Sequence, residues 1–187
     1  NTIGGTTTAA RNLISANIDH GVLILGAGTT GNVVQGNFIG TNAAGTAAIP
    51  NSLGGIILNN GTTNNLIGTD GDGTNDANEA NLVSGNLGNG ITIQTTASAS
   101  TSGNTIAGNK IGTNAAGTAT LGNSQAGIFI DGTFGGSITN NTIGGTSAGA
   151  RNLISGNGEN GIFINGNGAT GNNIQGNYIG TNVNGTA

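Results

Sequence analysis

Cysteine, methionine and tryptophan are missing from this chain of 187 residues, proline occurs once, and only three residues are basic. Without cysteine there are no disulfide staples and no thiolate metal sites. Three cations against seven acids, with a net charge of −4, leave no basic surface for nucleic acid. Nor does any apolar run approach the roughly 18 residues of a membrane span. Charged residues make up only 5% of the chain, yet branched aliphatics recur on schedule, which sets it apart from disordered sequences. The 39 glycines follow no strict triplet, so collagen is excluded as well. Glycine, asparagine and threonine fill almost every segment, and all three are poor helix formers.

What is there is one short phrase in five copies. Gly21-Val-Leu-Ile, Gly55-Ile-Ile-Leu, Gly90-Ile-Thr-Ile, Gly127-Ile-Phe-Ile and Gly161-Ile-Phe-Ile follow each other at intervals of 34 to 37 residues. A fixed period of this size means stacked repeats, each one turn of a solenoid. Side chains alternate faces along a strand. Val22 and Ile24, Ile56 and Leu58, Ile91 and Ile93, Ile128 and Ile130, and Ile162 and Ile164 therefore point inward.

Each turn reads as three short strands. After the glycine phrase comes a bent strand with asparagine at the bend, as in Val33-Val-Gln-Gly-Asn37-Phe-Ile-Gly and Asn173-Ile-Gln-Gly-Asn177-Tyr-Ile-Gly. The third strand is Asn12-Leu-Ile-Ser and its counterparts Asn81-Leu-Val-Ser and Asn152-Leu-Ile-Ser, with Ala48-Ile49 and Thr120-Leu121 between them. Turns alternate between two kinds, Ile-Gly-Thr-Asn-x-x-Gly-Thr and Ile-Gly-Gly-Thr followed by Arg-Asn-Leu-Ile-Ser. The full unit is thus two turns. About five turns at the strand spacing of about 4.8 Å make a rod roughly 25 Å long, a single array over residues 1–187. The first residues, Asn1-Thr-Ile-Gly-Gly, match Asn141-Thr-Ile-Gly-Gly, so the chain reads as a segment of a longer protein.

Asparagine suits bends because it tolerates left-handed backbone and bonds its own turn. Stacked amides can also bond between turns. The spacing predicts two such ladders, one of Asn1, Asn37, Asn65, Asn109, Asn141 and Asn177, the other of Asn17, Asn51, Asn86, Asn123 and Asn157.

Gly-Ile-Phe-Ile, Asn-Thr-Ile-x-Gly-Asn and Arg-Asn-Leu-Ile-Ser-Gly-Asn resemble the right-handed parallel β-helix repeat family of the pectate-lyase-like superfold, over essentially the whole chain. The resemblance implies an all-β right-handed parallel β-helix. That family includes polysaccharide lyases and hydrolases, phage tailspikes and long bacterial surface proteins. Its enzymes cluster Asp, Lys or Arg on one face. No such motif aligns here, so no catalytic residue is carried over.

Chemistry-bearing residues are few. Arg11 and Arg151 hold the same repeat position four turns apart, so each anchors its own loop. Lys110 takes the slot of Phe38 and Tyr178, which reads as solvent-facing. His20, Asp19 and Asp131 replace turn residues of sister copies. Asp70, Asp72, Asp76 and Glu79 fall within ten residues. Alternating oxygen ligands suit a hard cation such as Ca²⁺, although the position that an EF-hand loop gives to glycine is held by Asn75. A solvated acidic turn is the alternative.

The outward slots carry the functional expectation. Leu23, Ile57, Phe129 and Phe163 on the first strand, with Phe38 and Tyr178 on the second, form an apolar stripe, and such patches mark contact surfaces. A loop folded over the stripe is the competing reading, and docking of sugar rings a third. The Thr41, Thr69, Thr113 and Thr181 row raises ice binding as a lesser possibility. The expected function is a non-catalytic extracellular or cell-surface module: a stalk, adhesin segment or filament subunit. Its partners would be copies of itself, end to end or laterally, or surface glycans. The alternative is a polysaccharide-binding or polysaccharide-degrading module. Neither reading requires a cofactor other than the candidate calcium.

Overall fold

The computed structural model describes residues 1–96 and 98–186. The chain is an all-β parallel solenoid of about five turns, and its strands stack in four sheets. Sheet A stacks Thr2–Gly4, Val33–Gln35, Leu66–Gly68, Thr105–Ala107, Thr142–Gly144 and Asn173–Gln175. Sheet B stacks Leu13–Ile14, Phe38–Ile39, Leu82–Val83, Lys110–Ile111, Leu153–Ile154 and Tyr178–Ile179. The longest strands belong to sheet C: His20–Leu25, Gly54–Asn59, Asn89–Gln94, Ile128–Asp131 and Ile162–Asn165. Sheet D is a short fourth wall of Ser100–Ser102, Ser137–Thr139 and Ala169–Thr170.

Register explains why one aliphatic recurs at each slot. Ile24, Leu58, Ile93, Ile130 and Ile164 pair strand to strand in sheet C. Ile14, Ile39, Val83, Ile111, Ile154 and Ile179 do the same in sheet B. These columns fill the bore, and most members are fully buried. Each such side chain contributes about 1.5–3 kcal/mol of transfer free energy.

Two details differ from the three-strand reading. The arms of the bent strand belong to different sheets, A and B. The segment around Leu13, expected as a third strand, lies in sheet B directly against Phe38–Ile39. Ala48 and Thr120 form no strand of their own. They close loops through single antiparallel bridges to Thr41 and Thr113. Sheet D was not legible in advance, because its inward positions are small or polar (Thr101, Ala169) except for Ile138.

The ladder assignment also needs correction. Three asparagine ladders run along the corners, not two. Asn1, Asn32, Asn65, Asn104, Asn141 and Asn172 stack between sheets D and A, each amide Nδ2 donating to the next Oδ1 at 2.7–2.9 Å. Asn12, Asn37, Asn81, Asn109, Asn152 and Asn177 stack between A and B at 2.9–3.1 Å. Asn17, Asn51, Asn86, Asn123 and Asn157 stack between B and C at 2.8–2.9 Å. Asn37, Asn109 and Asn177 thus belong to a different corner from Asn65 and Asn141.

Loop placement alternates, and strand spacing gives the reason. A loop crossing a corner is thicker than the roughly 4.8 Å between strands, so loops on successive turns would collide. Residues 5–11, 69–80 and 145–151 bulge between A and B on every second turn. The intervening turns cross that corner through Gly36, Gly108 and Gly176, each near φ +70, a conformation in which only glycine is unstrained. Residues 41–50, 113–122 and 181–186 bulge at the B–C corner on those intervening turns. Loops of one kind then meet across the gap: Ala115 N–H donates to Gly45 O and Val183 N–H to Gly117 O, both at 2.9 Å.

The glycine that opens each phrase has a packing cause. A Cβ on Gly90 would lie 2.7 Å from Ile111 Cγ2 and 2.6 Å from Gly127 O, and Gly21, Gly127 and Gly161 meet the corresponding isoleucine in the same way. Gly90→Ala is expected to lower stability by about 1–3 kcal/mol through overpacking, read as a drop in the urea midpoint. Asn86→Ala strips partners from the amides of Asn51 and Asn123 and from the Ile39 carbonyl. Orphaned buried groups cost about 1–3 kcal/mol each, so its loss should exceed that of Asn17→Ala at the half-open first turn. Equal midpoints for the two asparagine variants would refute the stacked-amide account.

Candidate functional site

Chemistry-bearing side chains concentrate on the outer face of sheet B and the loops that flank it. Phe38, Leu82, Lys110, Leu153 and Tyr178 are consecutive register partners on that face. The loop ahead of the Asn12 strand delivers Arg11 onto Phe38, with its guanidinium 4.0 Å from the ring centroid. Arg151 lies 4.1 Å from the Tyr178 centroid. Each arginine Nε–H also donates to a glycine carbonyl of the next turn, Arg11 to Gly36 O at 3.3 Å and Arg151 to Gly176 O at 3.0 Å. The arginines therefore clasp their loops to the following turn through a cation–π contact and a hydrogen bond.

Lys110 is the third cation of the strip. It is half-buried rather than solvent-facing, and its Nζ donates to Ala115 O. Burial lowers its pKa from the ordinary value of 10.5. Among the described residues, none of Arg11, Lys110 and Arg151 pairs with a carboxylate within 4.0 Å. Two hollows open along the strip. One, of about 190 Å³, lies among Arg11, Phe38, Ala80, Lys110 and Ala115. The other, of about 180 Å³, lies among Lys110, Ala148, Arg151, Tyr178 and Val183. The pairing of Arg with an aromatic was readable from the repeats: where Arg11 and Arg151 give way to Ala80, Phe38 and Tyr178 give way to Lys110.

The expected contact stripe on sheet C is discontinuous. Leu23 and Phe163 are 52% and 40% exposed, but Ile57 between Leu23 and Thr92 is only 4% exposed. An outward direction therefore did not mean exposure at this position. Phe129 and Phe163 stack with centroids 5.1 Å apart and rings inclined by 23°. Phe38 is buried beneath Arg11 and Tyr178 is half-buried. Loop cover, the competing reading, applies on sheet B: Gly45 approaches Phe38 and Leu82, and Gly117 approaches Leu153. The threonine row is not a surface either. Thr41, Thr69 and Thr113 are buried, and the hydroxyls of Thr41 and Thr113 donate to the carbonyls of Asn42 and Asn114.

In the acidic loop, carboxylate oxygens of Asp70, Asp72 and Asp76 lie within 4.8 Å of one another. Local bonds hold this geometry. Asp70 accepts the Asp72 N–H, Asp72 accepts the Thr74 N–H, and Asp76 accepts the Thr69 hydroxyl at 2.6 Å. The donor set is of the hard-oxygen kind. Glu79 stands outside this trio. It closes the one-turn helix Asp76–Glu79, is 6% exposed, and has no partner for Oε2.

His20 lies in register with Gly54, and its ring rests against the glycine backbone. Its Nε2 is 3.8 Å from Asp19 Oδ1, while Nδ1 is buried without a partner. Asp131 is buried and accepts from the Thr133 amide and hydroxyl, at 3.2 and 2.7 Å, so it shapes a turn. Comparison with protein-family models, curated proteins and solved structures finds no match to this chain.

Burial lowers the His20 pKa from its ordinary 6.5, with Asp19 opposing in part. The folded state thus prefers the neutral imidazole. Its contribution is fully present above pH 6.5 and declines as pH falls towards the lowered folded value, where the unfolded chain binds the extra proton. His20→Asn, the residue of sister positions Asn89 and Asn160, should flatten the urea midpoint between neutral and mildly acidic pH. An unchanged slope would show that His20 is not the group responsible.

Proposed function

We propose that this chain is a stiff, non-catalytic rod segment of a secreted or cell-surface protein, of the right-handed pectate-lyase-like β-helix type, serving as a stalk, adhesin segment or filament subunit. The observation that carries this reading is how its polar chemistry is used. Amides that elsewhere bind ligands are saturated along three unbroken ladders. Arg11 and Arg151 are spent on clasping loops to the scaffold. Such a molecule resists bending because every turn is bonded to its neighbours through backbone, amide and aliphatic stacks at once. Lateral association between copies would use the exposed Phe163 with its partner Phe129, since exposed aromatic surface favours contact. End-to-end association would instead add strands to the stacked sheets, as unpaired strand edges favour.

Two measurements test this. Incubation with neutral and acidic polysaccharides is expected to release neither new reducing ends nor unsaturated products; turnover of any of them would end the non-catalytic reading. Sedimentation velocity at rising concentration is expected to show association that Phe163→Ser weakens. A monomer at every concentration would remove the self-associating form of the proposal.

A further inference from the structure

We propose that the corner between sheets D and A carries an ice-binding face, built on a column of hydroxyl residues, Thr30, Thr63, Ser102, Thr139 and Thr170. Its ligand is crystalline water. This goes beyond a purely mechanical role and stands apart from it, because a rod can carry such a face or lack one.

Repetition is the first argument. Thr30 pairs with Thr63, and Thr63 with Ser102, through single parallel bridges. Ser102 pairs with Thr139, and Thr139 with Thr170, in sheet D. Successive turns thus offer a hydroxyl at the same slot, about 4.8 Å apart. The column is distinct from the buried Thr41, Thr69 and Thr113. Thr101 and Ile138 are buried, so their strand neighbours Ser102 and Thr139 point outward. Every member is exposed or half-buried. The residues that follow, Gly31, Asn64, Gly103, Asn140 and Gly171, have φ between 53 and 67, so each turn leaves the column in the same way. Three residues on from the column stand Val33, Leu66, Thr105, Thr142 and Asn173, which pair along the outer side of sheet A. Thr105 and Thr142 widen the hydroxyl array there. Between the two columns runs the ladder of Asn32, Asn65, Asn104, Asn141 and Asn172, whose amide bonds of 2.8–2.9 Å lock successive rows in register. A surface held this firmly loses little freedom on binding.

Unused hydroxyls and missing charge are the second argument, and they select the ligand. Thr29 and Thr101, beside the column, donate to Leu25 O and Gln94 O at 2.8 and 3.1 Å. Among the described residues, the hydroxyls of the column itself have no such partner, so the fold does not use them. Strand propensity does not account for them either, since Val and Ile serve a strand as well. Segments 27–35, 61–68, 98–107, 133–144 and 166–175, which build this corner, contain no Asp, Glu, Lys, Arg or His. Ionic groups hold water in shells of their own. Hydroxyls donate and accept as water does, here at a spacing close to the repeat of water molecules in ice, and the threonine methyls fill the gaps between them. Threonine is stiff at χ1, which keeps the pattern fixed. A small soluble ligand suits the site poorly, because such ligands bind in concavities and this column follows the outside of a corner. No aromatic residue falls in either column, so a sugar ring finds nothing to stack on.

The test is thermal hysteresis and crystal shaping by the whole chain in a nanolitre osmometer, with partition into slowly growing ice as an independent readout. Hysteresis, faceted crystals and enrichment in the ice are expected. Thr63→Tyr combined with Thr139→Tyr places bulk across the column and should abolish all three. Thr139→Lys, which sets a charge in it, should weaken them. Thr118→Tyr, at an exposed loop position on the B–C corner, should leave them unchanged. A thermal melt of each variant establishes that it is folded, and the unaltered chain decides the matter even where a variant is not. Crystalline cellulose and chitin serve as alternative periodic surfaces. Absence of hysteresis and of enrichment for the unaltered chain would overturn the ice-binding face. So would full activity of the folded double variant, an equal loss in Thr118→Tyr, or capture by cellulose or chitin in place of ice.

Discussion

A stacked asparagine amide has one satisfactory place to be, and the rest of the molecule is arranged to keep it there. Asn86 donates from Nδ2 to Asn123 Oδ1 and to the Ile39 carbonyl, while its own Oδ1 accepts from Asn51. Buried amides of this kind tolerate neither a slip along the axis nor a lateral shift, because an unmade bond inside a protein is costly. Three corners impose the constraint independently. Strand register, and with it the alignment of every aliphatic column, follows from those corners as much as from the sheets. The glycines follow too: at Gly90 the space that a Cβ would need is already held by Ile111 and, close behind it, the Asn123 amide.

Charge and aromaticity enter only at the periphery. Among the described residues, no side chain of the bore or of the ladders is ionisable, so charged side chains sit in loops, at loop edges and on the outer faces of sheets. There the clasps of Arg11 on Phe38 and Arg151 on Tyr178 tie loops down across turns, and Lys110 occupies the middle slot without such a partner. A scaffold that settles its stability internally leaves its outer faces free to differ, and sheets B and C do differ: one is loop-covered and cationic, the other carries the Phe129–Phe163 stack.

Much of this could be read from residue order, because repetition turns one ambiguous signal into several consistent ones. The aliphatic pairs of the glycine phrase were legible for that reason. The ladder membership was not, and the cause is local. Asn65-Leu-Ile-Gly and Asn109-Lys-Ile-Gly share the pattern Asn-x-Ile-Gly, yet one precedes a sheet A strand and the other a sheet B strand. Only the second asparagine of each turn separates them, Asn81 across the acidic loop from Asn65 and Asn104 just ahead of Asn109. Exposure was the other blind spot. Alternation says that Ile57 points outward, yet it is only 4% exposed, and burial by other turns is not something a local pattern encodes. On the outer face of sheet B, the exchange of Arg and aromatic for Ala and Lys was visible in the repeats. That Lys110 borders both hollows became apparent only when loops two turns apart met beside it.

The alternation of loops between two corners carries a consequence for how such a molecule can grow or shrink. Removing a single turn would bring two bulges onto the same corner in adjacent layers, about 5 Å apart, where one has to be expelled. Removing or inserting two keeps the bulges alternating between corners. The length of this architecture is therefore quantised in doublets, and duplication in pairs is its one strain-free route to a longer molecule.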